Sequence, residues 1–299
     1  MPQISKNFTQ LTDLDPVLTE IFYQQYEQVQ PVGQMVFNML TSDKSKETDL
    51  RIGSFRDPRE FEGAVEYQTV LPDYEITYTH TEYADGFIVE RKLFDDMQYG
   101  PIFASASEMG TAFGRKREKD RAGVFNNAFT AGGTAGYDGV ALVSASHPRS
   151  KSDATTVSNT LTLALDSENL NTAIITQQAF KDAEGEEISI MGNLLIVPRA
   201  LRKVAHELTE SELTPESAEN ASNIHMGMQY VVWPFLTDSN AWFVVDTTLA
   251  KRYLKWYDRI GTEFGAEQDF DTFQRKYRGY MRYSKGWSDW RWIIGSNPS

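Results

Sequence analysis

Hydrophobic and polar positions divide this chain into stretches of different periodicity. Between Pro16 and Gln28 the apolar side chains recur at three- and four-residue spacing, which predicts an amphipathic helix. From Tyr74 to Tyr83 they alternate with polar ones, which is typical of a β-strand. Upstream, LRIGSF and VEYQTVL are also strand-like, and the charged turn RDPREFEG separates them. We therefore predict that residues 45–92 form an extended hairpin with charge at its tip.

Neither the helix nor the hairpin can bury its apolar side chains alone. A two-stranded hairpin is only marginally stable in water, and a short isolated helix with a polar tail is also only marginally stable. Both need a partner surface, either in the same chain or in another copy.

The strongest helical pattern covers residues 95–131. Asp95 and Asp96 suit a first turn, and Gly100-Pro101 suits a start or a restart. A helix of about 30 residues would be roughly 45 Å long, which is the size of a structural strut. Its predicted apolar face consists of Ile102, Ala106, Met109, Phe113, Ala122, Phe125 and Phe129.

The segment RKREKDR within this helix, residues 115–121, has two interpretations. Clustered basic residues can bind nucleic acid. The interpretation that we favour is a solvated helix face with ion pairs such as Lys116–Asp120.

A glycine-rich junction follows the helix. Gly132-Gly133 interrupts the helical pattern, and an apolar run, Val140–Val143, is predicted to be a strand. A phosphate-binding loop needs a strand before its glycines and a helix after them, commonly with a lysine. Here the order is reversed, and no lysine follows the glycines until Lys151. The junction is therefore interpreted as a joint between two structural units.

Residues 134–262 alternate between strand and helix patterns and are predicted to form a compact α/β unit with its own core. Ser167 can cap a helix that runs to about Ala183. The remaining predicted elements are the strand ISIMGNLLIVP, the helix PRALRKVAHEL, the strands MQYVVWPFL and NAWFVVD, and the helix TLAKRYLKWYDR.

The last zone, residues 263–299, returns to strand patterns and is rich in tyrosine and tryptophan. The rings of Trp287, Trp290 and Trp292 could form a stacking platform for carbohydrate or nucleobases. The interpretation that we favour is a sheet face packed beneath the long helix and against neighbours. Alternating basic residues predict one polar face on this strand: Arg275, Lys276, Arg278 and Arg282.

Composition excludes several classes of protein. The formal net charge of −13 is unsuited to gripping nucleic-acid phosphates. The absence of cysteine excludes disulfides and thiolate metal sites. The N-terminal residues have no signal-peptide pattern, and no apolar run is long enough for a membrane span, so we expect a soluble protein of the cytoplasm.

No catalytic constellation is evident. The four histidines are scattered, and Glu210 stands where a zinc-protease helix beginning at His206 would need its second histidine. No G-x-S-x-G motif occurs. We therefore expect no enzyme activity, no catalytic residues, no cofactor and no metal site.

One series of motifs resembles a known family. The chain contains, in order, a long helix, FNNAF, a glycine-rich turn, YDGVALVSASHP, a leucine-containing helix, NLLIVPRAL, NAWFVVD and DWRWIIGSNP. This series resembles the major capsid protein of tailed phages, and more narrowly the Mu-like major head subunit, which has the α+β Hong Kong 97-type capsid fold. The specific motifs cover residues 90–299, and the earlier part matches only in architecture.

The resemblance implies a domain organisation. The expected units are an N-terminal arm (1–44), an extended loop formed by a β-hairpin (45–92), a peripheral domain with a spine helix (93–133), an axial domain (134–262) and C-terminal strands returning to the peripheral domain (263–299).

It also implies a function and partners. Copies of the chain would self-assemble as hexamers and pentamers into an icosahedral shell around double-stranded DNA, first in the host cytoplasm and then in the virion. Portal, scaffold or maturation protease and a decoration protein are the other expected partners. Candidate contacts between copies are Arg56, Asp57, Arg59, Glu60, Glu62, Arg115, Lys116, Arg117, Trp287 and Trp290. The alternative function is a carbohydrate-binding or carbohydrate-processing protein that uses the C-terminal Trp/Tyr cluster.

The chain departs from some relatives at one point. Those relatives crosslink their shells by a Lys–Asn bond whose lysine lies in the extended loop, and this chain has no lysine between Lys46 and Lys92. We therefore expect a non-covalent shell, held by arm exchange, loop overlap and a decoration protein.

Overall fold

The computed structural model describes residue 8 and residues 10–298, apart from 66, 69–71, 135 and 214–221. Within these ranges, the structure has no helix that combines the length and the apolar character needed to cross a membrane.

Six helices and thirteen strands make up the described fold. The helices are α1 (Asp15–Gln28), α2 (Arg91–Asp95), α3 (Tyr99–Asn126), α4 (Ser167–Gln178), α5 (Arg202–Glu210) and α6 (Thr247–Tyr253). The strands are β1 (Asn38–Thr41), β2 (Lys46–Ile52), β3 (Pro72–Thr79), β4 (Thr81–Val89), β5 (His147–Pro148), β6 (Thr156–Val157), β7 (Thr160–Leu161), β8 (Leu194–Val197), β9 (Gln229–Val232), β10 (Trp242–Val245), β11 (Leu254–Gln268), β12 (Arg275–Trp287) and β13 (Ile293–Ser296).

A sheet of long strands carries one half of the fold. Its order is β1-β11-β12-β4, with β11 and β12 forming a long antiparallel hairpin. Along β12, Tyr277, Met281 and Tyr283 are buried, whereas Lys276 and Arg278 are exposed. The alternation predicted from sequence is thus present, although Arg275 is buried against Asp15 rather than exposed.

The strut predicted around residues 95–131 is confirmed as α3, whose 28 residues span about 42 Å. Its apolar face lies on the sheet, where Met109 and Phe113 contact the backbone of Gly279. The prediction that Asp95 and Asp96 open this helix is wrong. They lie at the end of the short helix α2, and Met97, with φ of 56°, interrupts the helical conformation before α3 begins.

The N-terminal helix also packs on α3. A Cβ atom at Gly110 would lie 2.3 Å from the backbone oxygen of Phe22, and one at Gly114 would lie 2.8 Å from that of Tyr26. Glycine at both positions allows the two helix backbones to approach closely. Of the two partner surfaces that the sequence left open for this helix, the same chain or another copy, α1 uses its own chain.

The other half of the fold is a five-stranded sheet in the order β7-β13-β10-β8-β9. Every residue of β8, β10 and β13 is buried, as expected for central strands covered on both faces. The helix predicted from Ser167 to Ala183 ends earlier, at Gln178, and Asp166 rather than Ser167 caps it by accepting a hydrogen bond from the Asn169 amide. Strand β13 joins this sheet and not the long-strand sheet.

Three other local predictions are wrong. Val140–Val143 forms no strand; this buried loop is held by a hydrogen bond from the Val143 amide to the Ala128 carbonyl. The helix predicted at TLAKRYLKWYDR ends at Tyr253, where the long strand β11 begins. In VEYQTVL, the described residues 65, 67 and 68 form no strand, and the others lie outside the described residues.

The glycine-rich junction is explained by close packing. A Cβ atom at Gly136 would lie 2.1 Å from the ring of Trp287, so only glycine lets the loop cross this buried ring. Gly132 and Gly139 have φ of 73° and 74°, in the left-handed region that favours glycine. The interpretation as a joint rather than a phosphate loop agrees with this geometry.

The helix contact at Gly110 generates a testable prediction. We expect Gly110→Ala to lower the free energy of unfolding by about 1–3 kcal/mol, because the new methyl group overlaps the Phe22 backbone. Gly123→Ala is the matched control in the same helix, because a Cβ atom there would meet only the Lys285 ammonium group, at 4.0 Å. Since alanine favours helix over glycine by up to about 1 kcal/mol, the control should be neutral or stabilising. Urea denaturation measures both, and equal effects of the two substitutions would contradict the proposed close approach.

Candidate assembly surface

The hairpin of β2 and β3, with the segment that joins them, exposes an unusual amount of apolar surface. Tyr67 is 92% exposed and Phe61 is 71% exposed. Single exposed apolar side chains are normal, but a series along one projecting segment is typical of an interaction surface. The other large apolar side chains exposed along it are Leu50, Ile52, Phe55 and Val65.

Charged side chains alternate with these apolar ones. Asp57, Arg59, Glu60 and Glu62 are exposed and Arg56 is half-buried. Two hydrogen bonds order this segment. The Gln68 side chain accepts one from the Arg56 amide at 3.0 Å and donates one to the Arg56 carbonyl at 3.3 Å. The hairpin tip thus combines apolar and charged groups on one surface.

A buried cluster of charges holds the base of the hairpin. Arg51 on β2 lies 2.9 Å from Asp289 and 3.5 Å from Asp73, and its guanidinium lies over the ring of Tyr137. On the other side of Asp289, Arg291 donates to the same carboxylate at 3.0 and 3.1 Å. These contacts join the hairpin to the start of the C-terminal segment.

Electrostatics in this cluster favour the ionised carboxylate. Burial alone would raise the pKa of Asp289, but the charges of Arg291 and Arg51 outweigh it and hold that pKa below its usual range. The Arg291 guanidinium also donates to the carbonyls of Lys181 and Arg149, at 2.7 and 2.6 Å. Every charge at the base of the hairpin therefore has an opposite charge or a carbonyl beside it.

A second tether and a hydrogen-bonded histidine lie nearby. Lys255 on β11 pairs with Asp49 on β2. His80, between β3 and β4, contacts the hydroxyls of Ser284 at 3.0 Å and Ser42 at 3.2 Å. Burial is the main cause that lowers the pKa of His80, which therefore remains neutral over a wider pH range than a free histidine. The ends of the hairpin are thus bound to the long-strand sheet.

The other candidate contact residues are divided between surface and interior. Arg115 is exposed, and Lys116 pairs with Asp120 at 3.0 Å, as the favoured interpretation of the helix face predicted. Arg117 is buried and pairs with Asp258 at 2.7 Å. The Arg117–Asp258 pair joins α3 to β11, whereas the Lys116–Asp120 pair lies within α3.

Trp287 and Trp290 have no exposed surface at all. Trp287 packs against Tyr137, and Trp290 stacks on His147 with ring centroids 4.6 Å apart. The favoured interpretation of the C-terminal aromatics as packed core is correct. Neither ring is available as a stacking platform or as a contact between folded copies.

Sequence reasoning missed two parts of this site. The sequence predicts strands at LRIGSF and VEYQTVL and a charged turn at RDPREFEG, but not the exposed apolar surface that they share; apolar residues placed among the charges are its local signal. The Arg51–Asp289 pair had no signal, because 237 residues separate its two members. Within the described residues, no group of three or more histidine, aspartate, glutamate or cysteine side chains is placed to hold a metal ion.

Comparisons with known proteins agree on one kind of protein. A family model described as phage capsid protein matches residues 73–295. No curated protein sequence matches the chain.

Three solved structures illustrate the likeness in fold. The procapsid of bacteriophage JBD30 matches with a TM-score of 0.54 and 16% identity, covering 96% of this chain and 75% of that one. The mature capsid of bacteriophage PhiM1 matches with a TM-score of 0.58 and 12% identity, covering 88% and 85%. A virus-like particle from Pyrococcus furiosus matches with a TM-score of 0.57 and 8% identity, covering 95% and 99%.

The charge cluster generates a prediction about stability. We expect Arg51→Met to lower the free energy of unfolding by about 3 kcal/mol, because it removes the opposite charge beside the buried Asp73, whereas Asp289 keeps its contacts with Arg291. Lys203→Met is the control, since Lys203 forms only an exposed pair with Glu207 and should contribute less than about 1 kcal/mol. Urea titration of each variant gives the two values. A loss at Arg51 no larger than at Lys203 would mean that the cluster does not hold the hairpin.

Proposed function

We propose that copies of this chain, which belongs to the phage capsid protein family, assemble as hexamers and pentamers around double-stranded DNA. The chain is a major capsid protein that forms a shell, and it has the Hong Kong 97-type fold. One observation carries the proposal. The hairpin is bound firmly at its base by Arg51 and exposes apolar side chains along its length, so a neighbouring copy is the partner that would bury them.

The domain organisation remains part of this proposal. We infer an arm over residues 1–44, an extended loop over 45–92 and a peripheral domain built on α3 and the long-strand sheet. The five-stranded sheet, with α4 and α5, supports the axial domain assigned to residues 134–262. We propose to add β13 to that domain, since it hydrogen-bonds to β10.

The charge of the chain suits a container for DNA. A strongly basic wall would bind the packaged duplex tightly, because each phosphate contact adds affinity. A subunit with a net charge of −13 avoids this and would enclose the duplex without reading its sequence. A portal, a scaffold or maturation protease and a decoration protein would complete the particle; one matched structure, the JBD30 capsid, is described as decorated with minor capsid protein trimers.

No observation favours the carbohydrate alternative. The tryptophans that would form its platform are buried, and the comparisons point to capsids. The family is one of structural proteins, and we propose that the chain has no enzymatic role.

Assembly can be tested by microscopy. We expect the overexpressed chain to form shells, tubes or capsomer rings in negative stain. The double substitution Ile52→Asp and Phe55→Asp should reduce these assemblies severely while leaving the circular dichroism spectrum unchanged, because both side chains are exposed in the single chain. Ile175→Asp, at an exposed apolar position on α4 outside the hairpin, is the control. A wild-type protein that remains monomeric would refute the proposal.

The nature of the contacts can be tested on gels. No lysine occurs between Lys46 and Lys92, so the extended loop has no amine between its two ends to form a Lys–Asn bond. We expect mature particles to dissociate into single chains in denaturing electrophoresis. The untrimmed chain has a mass of 34.0 kDa. A ladder of covalent multimers would show that another residue supplies a crosslink.

A further inference from the structure

The two legs of the hairpin leave the long-strand sheet at two short joints. In the first leg, residues 42–45 connect β1, which pairs with β11, to β2. In the second leg, His80 alone connects β3 to β4, which pairs with β12. Beyond these joints, β2 and β3 form a separate two-stranded sheet. The hairpin can therefore change its direction relative to the long-strand sheet only by movement at these joints.

The side chain of His80 connects the two joints to each other. Its Nε2 atom lies 3.2 Å from the hydroxyl oxygen of Ser42, in the first joint. Its Nδ1 atom lies 3.0 Å from the hydroxyl oxygen of Ser284, on β12. The histidine is only 5% exposed. One buried ring thus ties both joints to a central strand of the long-strand sheet.

The hydrogen-bond partners of the ring assign its proton. The Ser42 hydroxyl donates to the Glu47 carboxylate at 2.7 Å, so its oxygen accepts from His80 and Nε2 carries the proton. In the neutral ring Nδ1 is then an acceptor, and the Ser284 hydroxyl donates to it. A second proton, on Nδ1, would face the hydroxyl proton of Ser284. This set of hydrogen bonds therefore fits the neutral ring and not the charged one.

The charges around the ring also favour its neutral form. Arg282 on β12 and Arg259 on β11 face the ring, together with one carboxylate, Glu47 on β2. Partners of these groups are Glu82, 3.5 Å from Arg282, and Lys44, 3.2 Å from Glu47. Burial is the largest cause that lowers the pKa of His80, and the charge of Arg282 is the next.

We propose that His80 is a proton-sensitive latch that sets the direction of the hairpin. While the ring is neutral, it holds both joints against β12. When the ring takes up a second proton, the hydrogen bond to Nδ1 is lost, the new charge faces two arginines, and the joints loosen. The Arg51 cluster and the Lys255–Asp49 pair keep the hairpin attached, so its direction becomes variable while the fold persists.

The direction of the pH dependence follows from the lowered pKa. A histidine in an unfolded chain has a pKa of about 6.5, and folding lowers the pKa of His80 below that value. The stabilisation by the neutral ring is therefore complete above about pH 6.5 and is lost as the pH falls through the lower value of the folded chain. The other three histidines lie away from the joints, in β5, in α5 and in the segment before β9.

Distances between two spin labels can test the latch, because the chain contains no cysteine of its own. Glu62→Cys in the hairpin and Glu267→Cys on β11 place one label on each side of the joints, and both positions are exposed. Labelled chains diluted into an excess of unlabelled chains report distances within one chain. In pulsed electron paramagnetic resonance, we expect a narrow distance distribution at about pH 8 that broadens as the pH falls below about 6.5.

Three variants of the labelled chain isolate the role of the ring. His80→Gln cannot take up the proton but has an amide that can donate to Ser42 and accept from Ser284, so its distribution should stay narrow. His206→Gln, at an exposed histidine of α5, is the matched control and should broaden as the unsubstituted chain does. Ser284→Ala removes the hydroxyl that donates to Nδ1, which makes protonation easier, so the broadening should shift to higher pH. If His80→Gln fails to fold, as measured by circular dichroism, the direction of this shift still decides the test.

Three results would overturn the inference. They are a distribution in the unsubstituted chain that does not change between about pH 8 and about pH 5, a His80→Gln chain that broadens equally, and a Ser284→Ala chain that does not shift to higher pH. The latch is a property of the single chain and goes beyond the proposed function. Each of these results would leave the assembly of shells untouched, and a chain that forms no shells would leave the latch untouched.

Discussion

The buried charges at the base of the hairpin are the constraint on which the rest of this structure depends. Arg51 extends from β2 into a largely buried site where Asp73, Asp289 and Arg291 meet. Desolvating such charges costs several kcal/mol for each ion, so they are tolerated only when opposite charges lie in fixed positions. The cluster therefore holds the hairpin, the glycine-rich junction and the C-terminal segment in one arrangement. A projecting hairpin can present a defined surface only if its base is fixed in this way.

The distribution of apolar side chains follows from that arrangement. All six tryptophans lie fully inside the chain, several of them around the junction and the five-stranded sheet. The hairpin, by contrast, leaves Phe55, Phe61 and Tyr67 outside. Because all six tryptophans are buried, the chain has a large hydrophobic core. The aromatic rings exposed on the hairpin are therefore better explained by contacts in an assembly than by incomplete folding.

The same arrangement decides how copies can meet. Helix α1 is held by its own chain, against Gly110 and Gly114 of α3, so the hairpin is the exposed segment best placed to reach a neighbour. A shell needs closed rings that also contact one another, and non-covalent contacts of moderate strength allow misplaced subunits to leave.

Sequence alone determined the elements whose signals are local, together with the family. Periodicity identified α1, α3 and the alternating strand β12, and the motif series from FNNAF to DWRWIIGSNP indicated the Hong Kong 97-type fold. The order of helix, glycines and apolar run excluded a phosphate loop. Only the tertiary structure decided that Gly136 is needed to let Trp287 pass, that Val140–Val143 is a buried loop, and that Arg51 meets Asp289. The physical reason is the sequence separation over which each effect acts. Hydrophobic periodicity and turn chemistry depend on residues a few positions apart, whereas packing and buried ion pairs join residues that are distant along the chain.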